Sequence, residues 1–303
     1  MQLELVAEGL RFPEGPIAME DGSIILVEIA RGALSRVTPD GRISVIAELG
    51  GGPNGAAIGP DGACYVCNNG GFEWHDSGGL LIPGHKPASY TGGSIQRVDL
   101  ATGAFSTLYA ECDGRALKGP NDIVFDRQGG FWFSDLGKST RDHKEFGALY
   151  YAQADGARIS RQRDQLISPN GVGLSPDEKV LYSAETMTGR LWAFDIAAPG
   201  VLAPPVVGFM PGRCVATLPG YQLVDSLAVE ADGHICVATI INGGITAFTP
   251  EGGFEHFAVP DLLVTNICFG GPDLRDAWIT ASGTGKLFKA RWPRPGLKLN
   301  YNG

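Results

Sequence analysis

Six oxygen-bearing residues head six similar segments of the chain: Glu14, Asn54, Asn121, Asn170, Asp225 and Asn266. Each leads a short apolar-alternating run, a turn and a second apolar run, as in Glu14-Gly-Pro-Ile-Ala-Met-Glu-Asp-Gly22 and Asn54-Gly-Ala-Ala-Ile-Gly-Pro-Asp-Gly62. Eight residues after the leader stands a glycine in four segments, and Glu178 or Leu274 in the other two. None of the leaders is apolar, basic or sulfur-bearing. Brought together, carboxylate and amide oxygens without thiolate or imidazole suit a hard divalent cation, Ca²⁺ or Mg²⁺, over Zn²⁺ or Cu²⁺. Such an ion polarises a carbonyl or phosphoryl oxygen and acidifies a water, leaving a second carboxylate as base or nucleophile. The competing account is that Asn and Asp cap strand starts by bonding their own backbone. It explains the Asn-Gly steps at 54 and 170 but not the glutamate in the first segment.

The elements that carry the leaders are strands. Ser23-Ile-Ile-Leu-Val-Glu-Ile, Gly130-Phe-Trp-Phe-Ser and His234-Ile-Cys-Val-Ala-Thr-Ile are β-branched and aromatic runs bounded by turns. Helical periodicity is nearly absent. The leaders are 40, 67, 49, 55 and 41 residues apart, a spacing near that of propeller blades. The expected fold is all-β: one six-bladed β-propeller over residues 1–303 with four-stranded blades. The sixth repeat is one strand short before a polar tail, and Leu3-Glu-Leu-Val-Ala ahead of the first leader supplies the missing strand and closes the ring. Innermost strands line the channel of such a fold, so the six leaders are expected to converge on its axis.

With 24 Lys and Arg against 33 Asp and Glu, the net charge of −9 offers no footprint for nucleic acid or anionic lipid. No apolar run is long enough for a membrane helix, and no secretory signal is evident. The expectation is a cytoplasmic protein, a monomer or weak homo-oligomer, with six free cysteines. Cys64 and Cys67 form a C-x-x-C within a strand-like run, and a structural role is expected for them.

Phe12-Pro-Glu-Gly-Pro16, Gly119-Pro-Asn-Asp122, Ser168-Pro-Asn-Gly171 and Asp225-Ser226 stand in an order that resembles the senescence marker protein/gluconolactonase/luciferin-regenerating enzyme-like family of propellers. The resemblance spans essentially the whole chain. It implies lactone hydrolysis with one divalent cation, Ca²⁺ first, with Mg²⁺, Mn²⁺ or Zn²⁺ as substitutes. By motif, Glu14, Asn121, Asn170 and Asp225 resemble the metal ligands, and Asp225 also resembles the base or nucleophile. Asn121 also resembles a substrate-binding amide. Apart from the resemblance, Asn54 and Asn266 read as outer-sphere or substrate contacts, and Asp122 as a substrate contact or as the residue that positions Asn121. The Gly-Pro-Asn-Asp form of the third motif is similar to that of diisopropylfluorophosphatase and of the bacterial drug-responsive lactonases. Sugar lactonases carry an arginine just ahead of this Asn, where this chain has Gly119 preceded by Lys118.

The longest interval holds an insertion, about 68–92, rich in glycine and without a strand pattern, that concentrates Phe72, Trp74, His75 and His85. It is expected to act as a lid over the channel mouth, with Trp74 and His75 as substrate contacts. His143 lies on a charged loop, whereas His234 and His256 read as blade residues. Ser134-Asp135 and Ala184-Glu185 either face the channel or end strands. The leading functional reading is a metal-dependent lactonase for a small-molecule substrate, with Asp225 activating water. The alternatives are a phosphotriesterase at the same site and a non-catalytic binding propeller. No G-x-S-x-G nucleophile elbow or phosphate-binding glycine loop is present.

Overall fold

A computed structural model describes residues 1–301 of the chain. Six antiparallel sheets form the blades of a β-propeller, and among the described residues the one helical element is a 3₁₀ turn at Thr186–Thr188. The innermost strands are Pro13–Ala18, Pro53–Ile58, Pro120–Phe125, Pro169–Leu174, Leu223–Val229 and Val264–Gly270. Blades 1 to 5 build outward in chain order, with a two-residue strand, Val201–Leu202, hooked onto blade 4. Blade 6 takes its outer strand from the N-terminus, as the strand count predicts: Leu3–Glu8 pairs antiparallel with Lys286–Arg291.

Each blade packs both faces against neighbours, so its inner strands are buried throughout rather than on alternate residues. Ile24–Glu28 and Cys64–Asn68 are buried along their whole length, whereas the outer strand Phe254–Ala258 is mostly exposed. The apolar core is accordingly six wedges, one at each blade junction, such as Tyr65, Phe125, Phe131 and Phe133 between blades 2 and 3. Cys64 belongs to the wedge between blades 1 and 2 and Cys67 to that between blades 2 and 3. Residues three apart on a strand face opposite sides, so this C-x-x-C cannot act as a chelating pair. All six cysteines are free.

The residue eight after each leader closes the turn between the first two strands. All six adopt positive φ: Gly22, Gly62, Gly129 and Gly233 at 74–94°, and Glu178 and Leu274 at 56°. Glycine takes this conformation without a Cβ penalty, and blades 4 and 6 hold it with side chains present.

The insertion departs from expectation by forming a β-hairpin, Trp74–Ser77 with Leu80–Pro83. Its turn is Gly78-Gly79, both at positive φ (63° and 84°), the two-residue connection whose twist matches that of the strands. The sequence hides the hairpin because its strands are only four residues long and neither shows a clean apolar-polar alternation. It leans across blade 1, where Trp74 meets Phe12 at 5.1 Å, and reaches blade 6, where the Leu81 amide donates to Gly283 O.

At the other end of the channel the polar tail crosses the turns between first and second strands. Leu297 N donates to Val229 O, Asn300 Nδ2 to Phe125 O, and Tyr301 packs on Phe125. A cavity of about 1020 Å³ lies above this strap, walled by those turns and reaching up to Asp122 and Asn266. Among the described residues no helix is long and apolar enough to cross a membrane.

Candidate metal centre

Local backbone irregularity presents the leaders. Every innermost strand breaks register at or beside its leader: between Glu14 and Ile17, Pro53 and Ala56, Pro120 and Ile123, Pro169 and Val172, Val224 and Leu227, and Val264 and Asn266. Bulges of this kind re-aim side chains and free backbone from the ladder. In four blades a proline precedes the leader as the first strand residue, a place that asks for no ladder N–H.

Close approach of adjacent strands depends on the residue after the leader. A Cβ on Gly15 would lie 2.7 Å from Ala56 N, one on Gly55 2.5 Å from Asn121 O, and one on Gly171 2.7 Å from Leu227 N. These three glycines let neighbouring leaders draw together. In blade 3 the same place is Asp122, whose carboxylate accepts the amides of Ile123 (3.0 Å) and of Val172 in blade 4 (3.1 Å).

Side chains complete the ring. Asn266 Nδ2 donates to Glu14 Oε2 at 2.7 Å, as does the Gly15 amide at 2.6 Å. Ser226 Oγ donates to Asn170 Oδ1 at 3.3 Å, and Ser134 Oγ to the Asn170 carbonyl. Glu14, Asn54, Asn121, Asn170 and Asn266 are buried. Asp225 alone among the leaders keeps part of its surface exposed. It does not border the lower cavity, so it is exposed toward the upper mouth. Trp74 stands half-buried on the hairpin over Phe12, two residues from Glu14, whereas His75, on the alternate face of that strand, is exposed and turned against Gly84.

The electrostatics of this ring are unfavourable as it stands. Burial, then repulsion from Asp225 and Asp122, holds the Glu14 carboxyl well above its ordinary range, against the Asn266 and Gly15 hydrogen bonds. Burial pushes Asp225 up to about 7 despite its partial exposure, with the Asn170 amide opposing and Asp122 adding. Asp122 rises to about 7 from burial, against hydrogen bonds from Val172, Ile123, Leu227 and Ser226. No basic side chain figures in any of the three environments. Asn121 Oδ1 is buried without a hydrogen-bond partner. Elsewhere two buried acids are paired with cations, Glu28 with Arg31 and Glu230 with Arg294, and others such as Asp135 and Glu185 are held by several amide, hydroxyl or indole donors. An all-oxygen donor set with surplus negative charge and an orphaned amide oxygen fits a hard cation.

A further layer of residues escaped the leader pattern. Glu28, Asn68, Asp135 and Glu185 end the second strands and accept backbone amides of the loops that deliver the leaders. Glu28 takes Arg11 N (2.8 Å), Asn68 takes Gly52 N (2.9 Å), Asp135 takes Lys118 N and Gly119 N (both 2.8 Å), and Glu185 takes Ile167 N (2.8 Å). Asp135 and Glu185 therefore anchor loops and do not face the channel. Their equivalent places after the second run of each repeat were the signal available in the sequence. Glu230, Asp232 and His234 also cluster, but the Glu230 carboxylate is occupied by Arg294, Trp292 Nε1 (2.7 Å) and Cys236 Sγ (2.9 Å). His234 lies in the turn before its strand, bonded to Asp232, rather than in the strand, while His256 is in one.

Known proteins share this architecture. Lactonase drp35 of Staphylococcus aureus (strain MW2) is 28% identical over 253 residues, covering 82% of this chain and 70% of its own. A gluconolactonase of Zymomonas mobilis is 24% identical over 295 residues, covering 88% and 76%. The solved structure of regucalcin, a calcium-binding protein of Agrobacterium tumefaciens, superposes with a TM-score of 0.71 at 19% identity, covering 96% and 95%. The sequence pattern of the SMP-30/Gluconolactonase/LRE-like region matches residues 12–283, from just ahead of the strand that carries Glu14 to beyond the last leader, and the chain belongs to that family.

Proposed function

We propose that the chain is a lactonase that opens a cyclic ester at the ring, with a divalent cation, Ca²⁺ first, held by Glu14, Asn121, Asn170 and Asp225. The observation that carries this reading is the convergence of buried carboxylates with no cationic side chain beside a buried, unpartnered Asn121 Oδ1. The names of the relatives, lactonase and gluconolactonase, support the ester chemistry, and the calcium binding of regucalcin supports the ion. When bound, the cation supplies a Lewis-acid centre for the lactone carbonyl.

The chain's own residues do the rest. Asp225, the one leader open to the mouth, takes the proton of the attacking water. Asn266 holds Glu14 in place through its 2.7 Å hydrogen bond, so that one Glu14 oxygen stays directed into the ring. Asp122 ties blade 3 to blade 4 beneath the ring and sets the spacing of Asn121 and Asn170. Asn54 and Asn266 border the substrate, and the hairpin with Trp74 forms a lid on the blade 1 side. His75 reaches only a substrate extended past that hairpin.

Metal analysis followed by lactone hydrolysis with chelator and Ca²⁺ add-back tests this reading. Activity abolished by chelator and restored by Ca²⁺ is expected. Undiminished activity in chelator, with no ion bound, refutes it.

A further inference from the structure

The rim of the upper mouth is chemically divided. Over blades 2 and 3, the segments 69–93 and 136–146 carry Glu73, Asp76, Lys86, Lys138, Arg141, Asp142, Lys144 and Glu145. Over blades 4 to 6, the corresponding loops 186–189, 218–222, 241–243, 259–263 and 282–285 contain one charged residue, Asp261. Its carboxylate is taken by Leu263 N, Thr284 N and Thr284 Oγ1 (2.8, 2.8 and 2.7 Å).

This uncharged half displays apolar side chains. Met187 is 56% exposed, Tyr221 73%, Ile241 40% and Leu262 52%. Contacts between neighbouring loops join them into one arc. A Cβ on Gly189 would lie 2.9 Å from Gln222 O, Asn242 N donates to Gln222 Oε1 at 3.1 Å, and Ile241 N donates to Leu262 O at 3.0 Å. Tyr221 and Leu262 stand four residues ahead of the leaders Asp225 and Asn266. Ile241 is held at φ 85°, a conformation β-branched residues avoid. Backbone strain of this kind persists where a site over-determines it. The arc adjoins the strand that carries Asp225, the leader that keeps part of its surface exposed, since the Thr186–Thr188 turn packs against Leu223–Val229.

Resting on the lactonase reading, we propose that Met187, Tyr221, Ile241 and Leu262 seat the non-reacting part of the substrate, which is an alkyl or aryl substituent on the lactone ring. A polyhydroxylated sugar lactone would find few polar partners there. The arc discriminates through burial, so each methylene it covers raises kcat/KM about three- to fourfold.

The test compares γ-butyrolactone, γ-lactones of increasing alkyl chain length and glucono-1,5-lactone, all with Ca²⁺. Wild-type kcat/KM is expected to climb with chain length and to exceed that on glucono-1,5-lactone. In Tyr221→Ser/Leu262→Ser, both exposed positions, the climb is expected to flatten through KM rather than kcat. A flat wild-type series, a preference for glucono-1,5-lactone, or a climb untouched by the double variant overturns the arc's role while leaving the lactonase reading intact. No turnover of any lactone refutes the lactonase reading and the arc's role with it.

Discussion

Replacing Lys138 by methionine isolates one buried charge near the base of the hairpin. Lys138 is 3% exposed. Its Nζ donates to Gly71 O (2.7 Å) and Asn69 Oδ1 (3.1 Å) and lies 4.2 Å from the Phe72 ring centroid. Burial pushes its amine down to about 7, with Asp135 and Glu145 opposing and Lys144 and Lys86 adding. In the unfolded chain the amine titrates near 10.4. Between these two values the unfolded chain holds a proton that the folded one lacks, so stability rises with pH across that window. The slope reaches about 1.4 kcal/mol per pH unit, and the whole window amounts to at most about 4–5 kcal/mol. Lys138→Met removes this titration, and other groups cancel in the difference between the two proteins. Urea unfolding at pH 6.0, 7.5, 8.5 and 9.5 at constant ionic strength should show wild type gaining on the variant by about 2.5 kcal/mol from pH 7.5 to 9.5. Below pH 7 the difference should level off. A difference independent of pH would show that carbonyls and aromatic faces alone keep the amine charged, and the reasoning from burial would fail.

Glu14→Gln and Asp225→Asn should each lower lactone kcat by about 10²-fold or more and abolish the Ca²⁺-induced rise in Tm, read by turnover and thermal scans. Gly55→Ala forces a Cβ against Asn121 O and Asp122 Cα, so stability should fall by about 1–3 kcal/mol and Ca²⁺ affinity should weaken. Gly208→Ala, with nothing within 4 Å of its Cβ, serves as the control; equal behaviour of the two in urea melts and calorimetry would contradict the close approach. Glu230→Gln weakens the buried acceptor shared by Arg294, Trp292 and Cys236 and leaves the part-exposed Arg294 with Glu255 as its acid partner. It should cost about 1–3 kcal/mol in urea unfolding. A loss under 1 kcal/mol would show that Trp292 and Cys236 suffice to hold that corner.

The fold was legible because the propeller repeats itself. Strand runs, turn positions and polar leaders recur, and even Glu178 and Leu274 keep the place and the backbone conformation of the turn glycines. The N-terminal strand in blade 6 followed from counting strands. Bulges were not legible, since a register break leaves no trace in apolar alternation. Nor was the hairpin at Trp74, whose partners are Phe12 and Gly283 in distant blades. The anchoring roles of Glu28, Asn68, Asp135 and Glu185 depend on backbone amides, which carry no residue identity. The tail read as polar surplus, and only the folded chain reveals it strapped beneath the channel.

The hydrogen bond from Asn266 to Glu14 joins residues 252 positions apart. During synthesis Glu14 emerges first and must wait for nearly the whole chain before this partner exists. The sheet of blade 6 is itself completed only by Leu3–Glu8 pairing with Lys286–Arg291, which comes later still. The earlier blades can stack as they appear, but the ring of oxygens cannot close on an ion until the circle does. On the proposed reading, capture of an ion would therefore report completed folding, and a nascent or truncated chain would present its acids to solvent instead.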